Sequence, residues 1–256
     1  MTNKKNLYTS GEYLKENPSW HLEDSPWKAR KIIKVIPKDI FSKSNSTMKI
    51  VDVGCGPGEI LKLVCKYFRD NGFSAAADGY DISPAIIEAA RKNFSEASFY
   101  CHEFDKEKYK APRQNIDIAL LIDIFEHIEN PEHLLRDISE VSTYAICHIP
   151  LEDNLEVKIR GLKKRFKKSL GHINYYNKKN AVELIEKNGF SIENMIFTCL
   201  DYDSDYIIKS LARRLIAQPL RKIFFKNFPG FTASVLGNCS IMFFLRSLKR
   251  SNVKQI

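Results

Sequence analysis

The 256-residue chain lacks several features that would place it in a particular class of protein. Six cysteines occur, but no two are spaced as a CxxC pair, which argues against a zinc knuckle or a redox motif. No run of about 18 or more apolar residues occurs, so no transmembrane helix is expected. The N-terminal lysines precede no apolar stretch, so no secretory signal is expected. These absences predict a cytoplasmic protein with reduced thiols and no metal site.

Positive charge is present in excess but is unevenly distributed, and the net charge is +9. Residues 1–150 hold 20 Lys and Arg against 22 Asp and Glu, whereas residues 151–256 hold 20 against 9. The second part of the chain is therefore expected to face an anionic partner. A phosphate-bearing small molecule, a nucleic acid and a membrane surface are the three candidates.

Hydrophobic periodicity predicts strands that alternate with helices, which indicates a doubly wound α/β sheet. The predicted strands cover 48–53, 75–80, 97–103, 116–122, 144–149, 195–200 and 238–245, and the predicted helices cover 25–36, 57–70, 83–94, 132–141 and 180–187. We expect an N-terminal lid and helix over 1–47 and a main domain over 48–256. A basic, partly helical insertion over 201–231 precedes the last strand.

A glycine-rich loop, VDVGCGPGEI, joins the first predicted strand of the main domain to a helix. Three alternate glycines let the backbone approach a ligand closely. Glu59 stands where a dinucleotide-binding fingerprint requires its third glycine. Asp52 would repel a pyrophosphate but attract a sulfonium or an ammonium group. A tight turn without a ligand is the alternative.

An acidic residue, Asp81, ends the second strand of the main domain. A carboxylate at this place can accept hydrogen bonds from both hydroxyls of a ribose. The alternative is that Asp81 caps the following helix. Ser83 is better placed for that role, which would leave Asp81 free for a ligand.

Together with the segment IDIALLIDIFEHIENPEHLL (116–135), these motifs resemble the class I S-adenosylmethionine-dependent methyltransferases. The resemblance covers about 48–200 and 238–245. It implies a seven-stranded Rossmann-like sheet with an antiparallel last strand, S-adenosylmethionine as cofactor and S-adenosylhomocysteine as product. After the third strand, Glu103 is favoured over Asp105 for the adenine amino group, although a solvated turn is the alternative. The implied cofactor contacts are Asp52, Gly54, Cys55, Gly56, Gly58, Asp81, Ile82, Glu103, Phe104, Asp123 and Ile124.

Two histidines are candidate general bases, because the pKa of imidazole lies near neutrality. His127 belongs to the Glu-His pair that is frequent in the family, and His172 resembles a family histidine that faces the acceptor. The alternative for the Glu-His pair is that it only fixes the turn. The alternative for His172 is that it forms hydrogen bonds with backbone groups.

Acceptor contacts are expected from segments outside the cofactor motifs. Seven basic residues crowd into residues 158–168, at the sheet edge where ligands bind. The N-terminal YLKENPSWHLEDSPWKA resembles lead-in segments of methyltransferases found with bacterial surface-polysaccharide enzymes and predicts an aromatic lid. A solvated surface loop is the alternative for the basic segment. The predicted acceptor contacts are Tyr13, Trp20, His21, Lys163, Arg165, Tyr175 and Tyr176.

The sequence therefore predicts O-methylation of a small phosphate-, phosphoramidate- or nucleotide-linked precursor in surface or capsular polysaccharide biosynthesis. We also predict that residues 207–226 make a peripheral membrane contact. The alternatives for this segment are a lid, a dimer surface or a helix packed on the core. An RNA methyltransferase is favoured by the isoelectric point alone, and no nucleic-acid partner is expected without an added RNA-binding module. A non-catalytic cofactor-binding protein is the third candidate, and the intact Asp52, glycine loop and Asp81 argue against it.

Overall fold

A computed structural model describes residues 22–37, 47–109, 115–200 and 218–249. Its centre is a seven-stranded sheet in the order β3-β2-β1-β4-β5-β7-β6. The first five strands are parallel, and β7 runs antiparallel to both β5 and β6, as predicted. The strands are β1 (Met48–Val53), β2 (Ala75–Tyr80), β3 (Ser98–Tyr100), β4 (Ile116–Ile122), β5 (Ser142–Pro150), β6 (Phe190–Thr198) and β7 (Ser240–Ser247).

Helices cover both faces of this sheet and bury two apolar layers. The helices are α1 (Ser25–Val35), α2 (Glu59–Asp70), α3 (Pro84–Asn93), α4 (Pro131–Val141), α5 (Leu155–Ile159), α6 (Lys163–Ser169), α7 (Lys178–Glu186), α8 (Gln218–Asn227) and α9 (Pro229–Val235). The first three pack on one face, and α4 and α7 pack on the other. Strand β4 contributes to both layers, because its continuous apolar run leaves no polar face.

The observed element boundaries differ from the predicted ones where polar side chains interrupt the pattern. Strand β6 begins at Phe190, five residues before the predicted start, and a register shift lies between Ile192 and Asn194. Helix α7 is capped by Asn177, which forms a reciprocal capping box with Asn180, so Asn180 is the third helical residue and not the cap. Helix α1 has Asp24 at its N-cap position, and Ser25 is its first residue.

The basic segment 158–168 contains the end of α5 and most of α6, which the hydrophobic pattern did not predict. Of the predicted insertion, residues 201–217 lie outside the described part, and α8 and α9 form most of the remainder. Ile223 and Phe224 of α8 are exposed. The membrane contact through 207–226 stays a prediction. Across the residues that the structure describes, no helix is long and apolar enough to cross a bilayer.

A buried ionic network ties the β1–β2 half of the sheet together. Asp78 on β2 is 3% exposed and pairs with Nζ of Lys49 on β1 at 2.8 Å. Its other oxygen accepts a hydrogen bond from the Tyr109 hydroxyl at 2.5 Å and lies 3.3 Å from Nζ of Lys108. Burial alone would raise the pKa of Asp78, but the hydrogen bonds from Lys49 and Tyr109 and the two lysine charges lower it overall.

We expect Asp78→Asn to lower the free energy of unfolding at pH 7 by about 1–3 kcal/mol, because the buried partners lose their anion. Since folding lowers the pKa of Asp78, its stabilisation is present above the unfolded pKa of about 3.9 and is lost as the pH falls below that value. Urea unfolding of wild type and variant from pH 7 to pH 3 should show the difference shrinking below about pH 4.

Asp70→Asn is the matched control, because Asp70 pairs with Lys66 on the exposed surface of α2. Its loss should change the free energy of unfolding by less than about 0.5 kcal/mol. Equal effects of the two substitutions would contradict a structural role for the Asp78 network.

Candidate functional site

The glycine loop follows β1 at the carboxyl edge of the sheet. The N–H groups of Gly54 and Cys55 donate to the Tyr80 carbonyl at 2.8 and 3.0 Å, which folds the loop back over β2. Gly58, at the start of α2, has φ +76°, and a Cβ there would lie 2.9 Å from Cζ of Phe99. The loop therefore needs glycine for both its conformation and its packing.

Two carboxylates lie beside this loop, because β1 and β2 end in register. Asp52 is 2% exposed, and burial, with a contribution from the charge of Asp81, raises its pKa to about 7. Asp81 accepts hydrogen bonds from the N–H of Gly56 at 3.3 Å and of Ser83 at 2.9 Å. Ser83 is the N-cap residue of α3 but makes no side-chain capping bond, and Asp81 accepts the N–H of Ser83 itself, so Asp81 is not free of protein contacts.

The predicted adenine contacts lie beyond Asp81. Ile82 is half-buried and Glu103 is exposed on the turn after β3. Phe104 packs against Tyr80 and Tyr109, with ring centroids at 5.4 and 5.7 Å. Phe104 thus belongs to a cluster of aromatic side chains at the edge of the hydrophobic core. Its stacking on adenine stays a prediction.

A cavity of about 340 Å³ opens next to the glycine loop. Of the predicted site residues, the structure brings Gly54, Cys55, Gly56, Asp123, His127 and His172 into its wall. Asp52, Asp81, Ile82, Glu103 and Phe104 do not belong to that wall. Ile124 packs under the loop, where a Cβ on Gly54 would approach its Cδ1 to 3.1 Å.

Asp123 is held by two basic groups inside the protein. It has φ +52° and follows β4, where Ile122 pairs with His148 of β5. One carboxylate oxygen lies 2.5 Å from Nδ1 of His148 and the other 2.9 Å from Nζ of Lys28. Burial would raise the pKa of Asp123, but the charges of His148 and Lys28 lower it well below its usual range. Asp123, predicted to contact the cofactor, is therefore engaged with α1 and β5.

The two candidate bases meet at the other side of the cavity. The rings of His127 and His172 lie edge to face, with centroids 4.9 Å apart. Glu126 is 2% exposed, and its Oε1 lies 3.9 Å from Nε2 of His127. Burial, with the charge of Asp123, raises the pKa of Glu126 well above its usual range. Nδ1 of His172 lies 2.7 Å from a carboxylate oxygen of Glu152.

The predicted acceptor contacts divide into three groups. Tyr13, Trp20 and His21 lie outside the described residues. Lys163 pairs with Asp153 at 3.0 Å, and the Tyr175 hydroxyl donates to the Lys163 carbonyl at 2.8 Å, whereas Arg165 is exposed on α6. Tyr176 is a correction: its ring is 7% exposed within the core and its hydroxyl donates to the Phe125 carbonyl. The resemblance of its segment to the family's acceptor-facing approach to the next helix had implied an acceptor contact.

The sequence reasoning missed Lys28 of α1, His148 and Glu152 as parts of this site, whereas Trp27 belongs to the segment that was predicted as an aromatic lid. Trp27 and Lys28 line the cavity because α1 packs over the carboxyl edge of the sheet. A signal existed for His148, since an imidazole near the end of the apolar strand segment AICHIP requires a buried polar partner.

Comparison with known proteins assigns the family. A family model described as a methyltransferase domain matches residues 26–194. The chain belongs to this methyltransferase family. The fold is similar to that of a solved structure, the plantazolicin methyltransferase BpumL in complex with SAH, with a TM-score of 0.58 and 16% identity over 95% of this chain and 93% of that chain. The class I S-adenosylmethionine-dependent methyltransferase predicted from the motifs is thereby confirmed.

Two curated relatives match shorter stretches. (S)-coclaurine N-methyltransferase from Thalictrum flavum subsp. glaucum is 30% identical over 92 residues, which are 36% of this chain and 25% of that protein. Trans-aconitate 2-methyltransferase from Rhodopseudomonas palustris (strain BisB5) is 27% identical over 109 residues, which are 42% of this chain and 40% of that protein. The matches therefore span two fifths or less of either relative.

The glycine loop and its acids fit S-adenosylmethionine. Of the described residues, none donates a hydrogen bond to the Asp52 carboxylate, and a nearby ammonium or sulfonium would stabilise its ionised form. Asp81 follows β2 beside the glycine loop, and its contact with the ribose hydroxyls stays a prediction. The loop between them would hold the cofactor, which supplies a methyl group on a cationic sulfur.

We expect cofactor affinity to depend on the ionisation of Asp52. Because its pKa is about 7, its ionised fraction rises about tenfold between pH 6 and pH 8. S-adenosylhomocysteine carries an ammonium group, so its affinity for the wild-type protein should rise by up to about tenfold over that range when measured by calorimetry.

Asp52→Asn should bind the same ligand more weakly and without this rise. Any slope that persists in the variant measures the contribution of groups other than Asp52. An identical pH dependence in both proteins would contradict the role of Asp52.

Proposed function

We propose that the protein transfers a methyl group from S-adenosylmethionine to a small oxygen acceptor that enters the cavity. The observation that carries this proposal is that one cavity joins the glycine loop to the buried cluster of Glu126, His127 and His172. Methyl transfer is an in-line displacement that depends mainly on alignment of donor and acceptor. A volume of about 340 Å³ suits a small acceptor group.

Either imidazole can accept the proton of an acceptor hydroxyl. The contact between Nδ1 of His172 and Glu152 favours the tautomer that carries its hydrogen on Nδ1. Nε2 would then have a lone pair for the acceptor side. His127 lies against the same ring, so both histidines are candidates for contact with the reacting oxygen.

The basic helix α6 supports an anionic acceptor. Lys158, Arg160 and Lys163 pair with carboxylates of neighbouring loops and α5. Four further basic residues of α6 are exposed and have no carboxylate partner in the described part of the chain: Lys164, Arg165, Lys167 and Lys168. Helix α6 leads directly to Leu170 and His172 in the cavity wall. Phosphate groups outside the cavity could therefore be held while a hydroxyl reaches inside.

Within this proposal we favour a phosphate-, phosphoramidate- or nucleotide-linked precursor of surface or capsular polysaccharide. Its support is the charge of α6 and the resemblance of the N-terminal segment. An anionic phosphoramidate or phosphate oxygen would need positive charge for positioning and no base. The described cavity favours such small molecules over a nucleic acid.

A panel of phosphorylated sugars and nucleotide-linked sugars, assayed for S-adenosylhomocysteine, tests the substrate class. We expect product with phosphorylated acceptors, and we expect the combined Lys164→Ala and Lys168→Ala variant to raise KM about tenfold with little change in kcat, since each lost phosphate contact weakens binding. Lys66→Ala on α2 is the control. Turnover restricted to RNA, with a steep loss of binding as salt rises, would contradict the proposal.

His172→Gln should lower kcat by about 100-fold or more, because the group that faces the acceptor hydroxyl is lost. Affinity for S-adenosylhomocysteine should change less than about twofold, since the glycine loop is untouched. His133→Gln is the matched control, because His133 is exposed on α4. A normal kcat in His172→Gln would contradict its place at the reaction centre.

A further inference from the structure

Three side chains at the cavity wall form a ligand set for a metal ion. Glu126, His127 and His172 each offer one nitrogen or oxygen atom, and these atoms all lie within 4.8 Å of one another. Two imidazoles and one carboxylate are a common ligand set of catalytic sites that hold zinc or a related divalent ion and leave a position open.

One oxygen of the carboxylate in this set lacks a hydrogen bond. Glu126 is 2% exposed, and its Oε2 is buried without a hydrogen bond. Buried carboxylate oxygens are normally bonded, because leaving water without a replacement partner is costly. Asp123 and Glu152 add further negative charge nearby. A cation between Glu126 and the two imidazoles would supply the missing interaction.

The backbone holds the three ligands in place from two separate segments. The main-chain carbonyl of Glu126 accepts the N–H of Ile173 at 2.7 Å, which ties the His172 segment to the turn after β4. The Asn174 side chain donates to the carbonyls of Phe125 and Ile128, each at 2.8 Å. The ligands are therefore positioned by main-chain bonds that do not depend on the metal.

One neighbouring carboxylate orients His172, and a second neighbouring carboxylate is already paired with other residues. The contact of Glu152 with Nδ1 of His172 is the carboxylate–histidine arrangement that orients metal-bound imidazoles, and it leaves Nε2 for the ion. Asp123 pairs with Lys28 and His148, so it is occupied elsewhere.

We propose that Glu126, His127 and His172 bind a divalent first-row transition-metal ion whose open coordination positions face the cavity. The part that concerns the acceptor rests on the proposed function. In this role the histidines are ligands, and the ion lowers the pKa of the acceptor hydroxyl. The hydroxyl proton passes to water, the bond from the methyl carbon to sulfur breaks, and the bond from that carbon to the acceptor oxygen forms. Sulfur leaves as a neutral thioether.

Calorimetric titration of the chelator-treated protein with Zn²⁺, and with Co²⁺ followed by visible spectroscopy, tests the site. We expect one ion per chain. Glu126→Gln and His172→Gln should weaken binding at least about 100-fold, and Glu152→Gln about 10–100-fold. His133→Gln, an exposed histidine on α4, should bind like wild type. Unchanged S-adenosylhomocysteine affinity shows that each variant is folded.

Two results would overturn the metal site: wild-type protein that binds S-adenosylhomocysteine but no stoichiometric Zn²⁺ or Co²⁺, or a Glu126→Gln variant that keeps wild-type affinity. Full methyl transfer by the chelated protein would overturn the role of the ion in acceptor activation and would leave the proposed function intact. Stoichiometric metal binding that depends on Glu126, in a protein inactive on every acceptor, would support the site and count against the proposed acceptor class.

Discussion

The ion pair between Lys28 and Asp123 fixes the N-terminal helix over the carboxyl edge of the sheet, and the cavity depends on it. Nζ of Lys28 lies 2.9 Å from Asp123, and His148 holds the other oxygen and also contacts Thr198 of β6 at 2.8 Å. Trp27 lies edge to face with His148, at 6.3 Å between ring centroids. Removing one charge from such a group leaves the others buried without compensation. The wall formed by α1 is therefore coupled to the ends of β4, β5 and β6.

The charges of the site follow from this arrangement. The glycine loop side carries Asp52 and Asp81, which suit a cationic methyl donor, while the opposite side carries Glu126 and the two imidazoles. Among the described residues 151–200 and 218–249, no Lys or Arg lines the cavity. Part of the excess positive charge of residues 151–256 lies on α6, outside the cavity, where exposed lysines can meet an anionic acceptor.

Local patterns predicted the sheet and the cofactor loop because these depend on neighbours in sequence. An apolar run such as that of β4 is expected to be buried on both faces of the sheet. Alternate glycines between a strand and a helix indicate a turn in which the backbone can approach a ligand closely. Lys28, His148 and Glu152 could not be placed this way, since each acts through a partner far along the chain. Tyr176 was implied by the family resemblance of its segment, but a segment-level resemblance does not tell which side chain turns into the core. Glu126 and His127 are neighbours in sequence, but only the fold brings His172 beside them, so the sequence did not indicate that the three form one cluster.

A divalent ion and a sulfonium in one cavity would repel each other unless the protein compensates them. Lys28 and His148 already compensate the charge of Asp123, so Glu126 and Glu152 are the carboxylates left to face a bound ion. A divalent ion would favour the ionised form of Glu126, and the two carboxylates would then offset its charge. Asp52 and Asp81 lie outside the cavity wall, beside the glycine loop that would hold the methyl donor. The ion would therefore act on the acceptor oxygen without raising the positive charge that the sulfonium experiences.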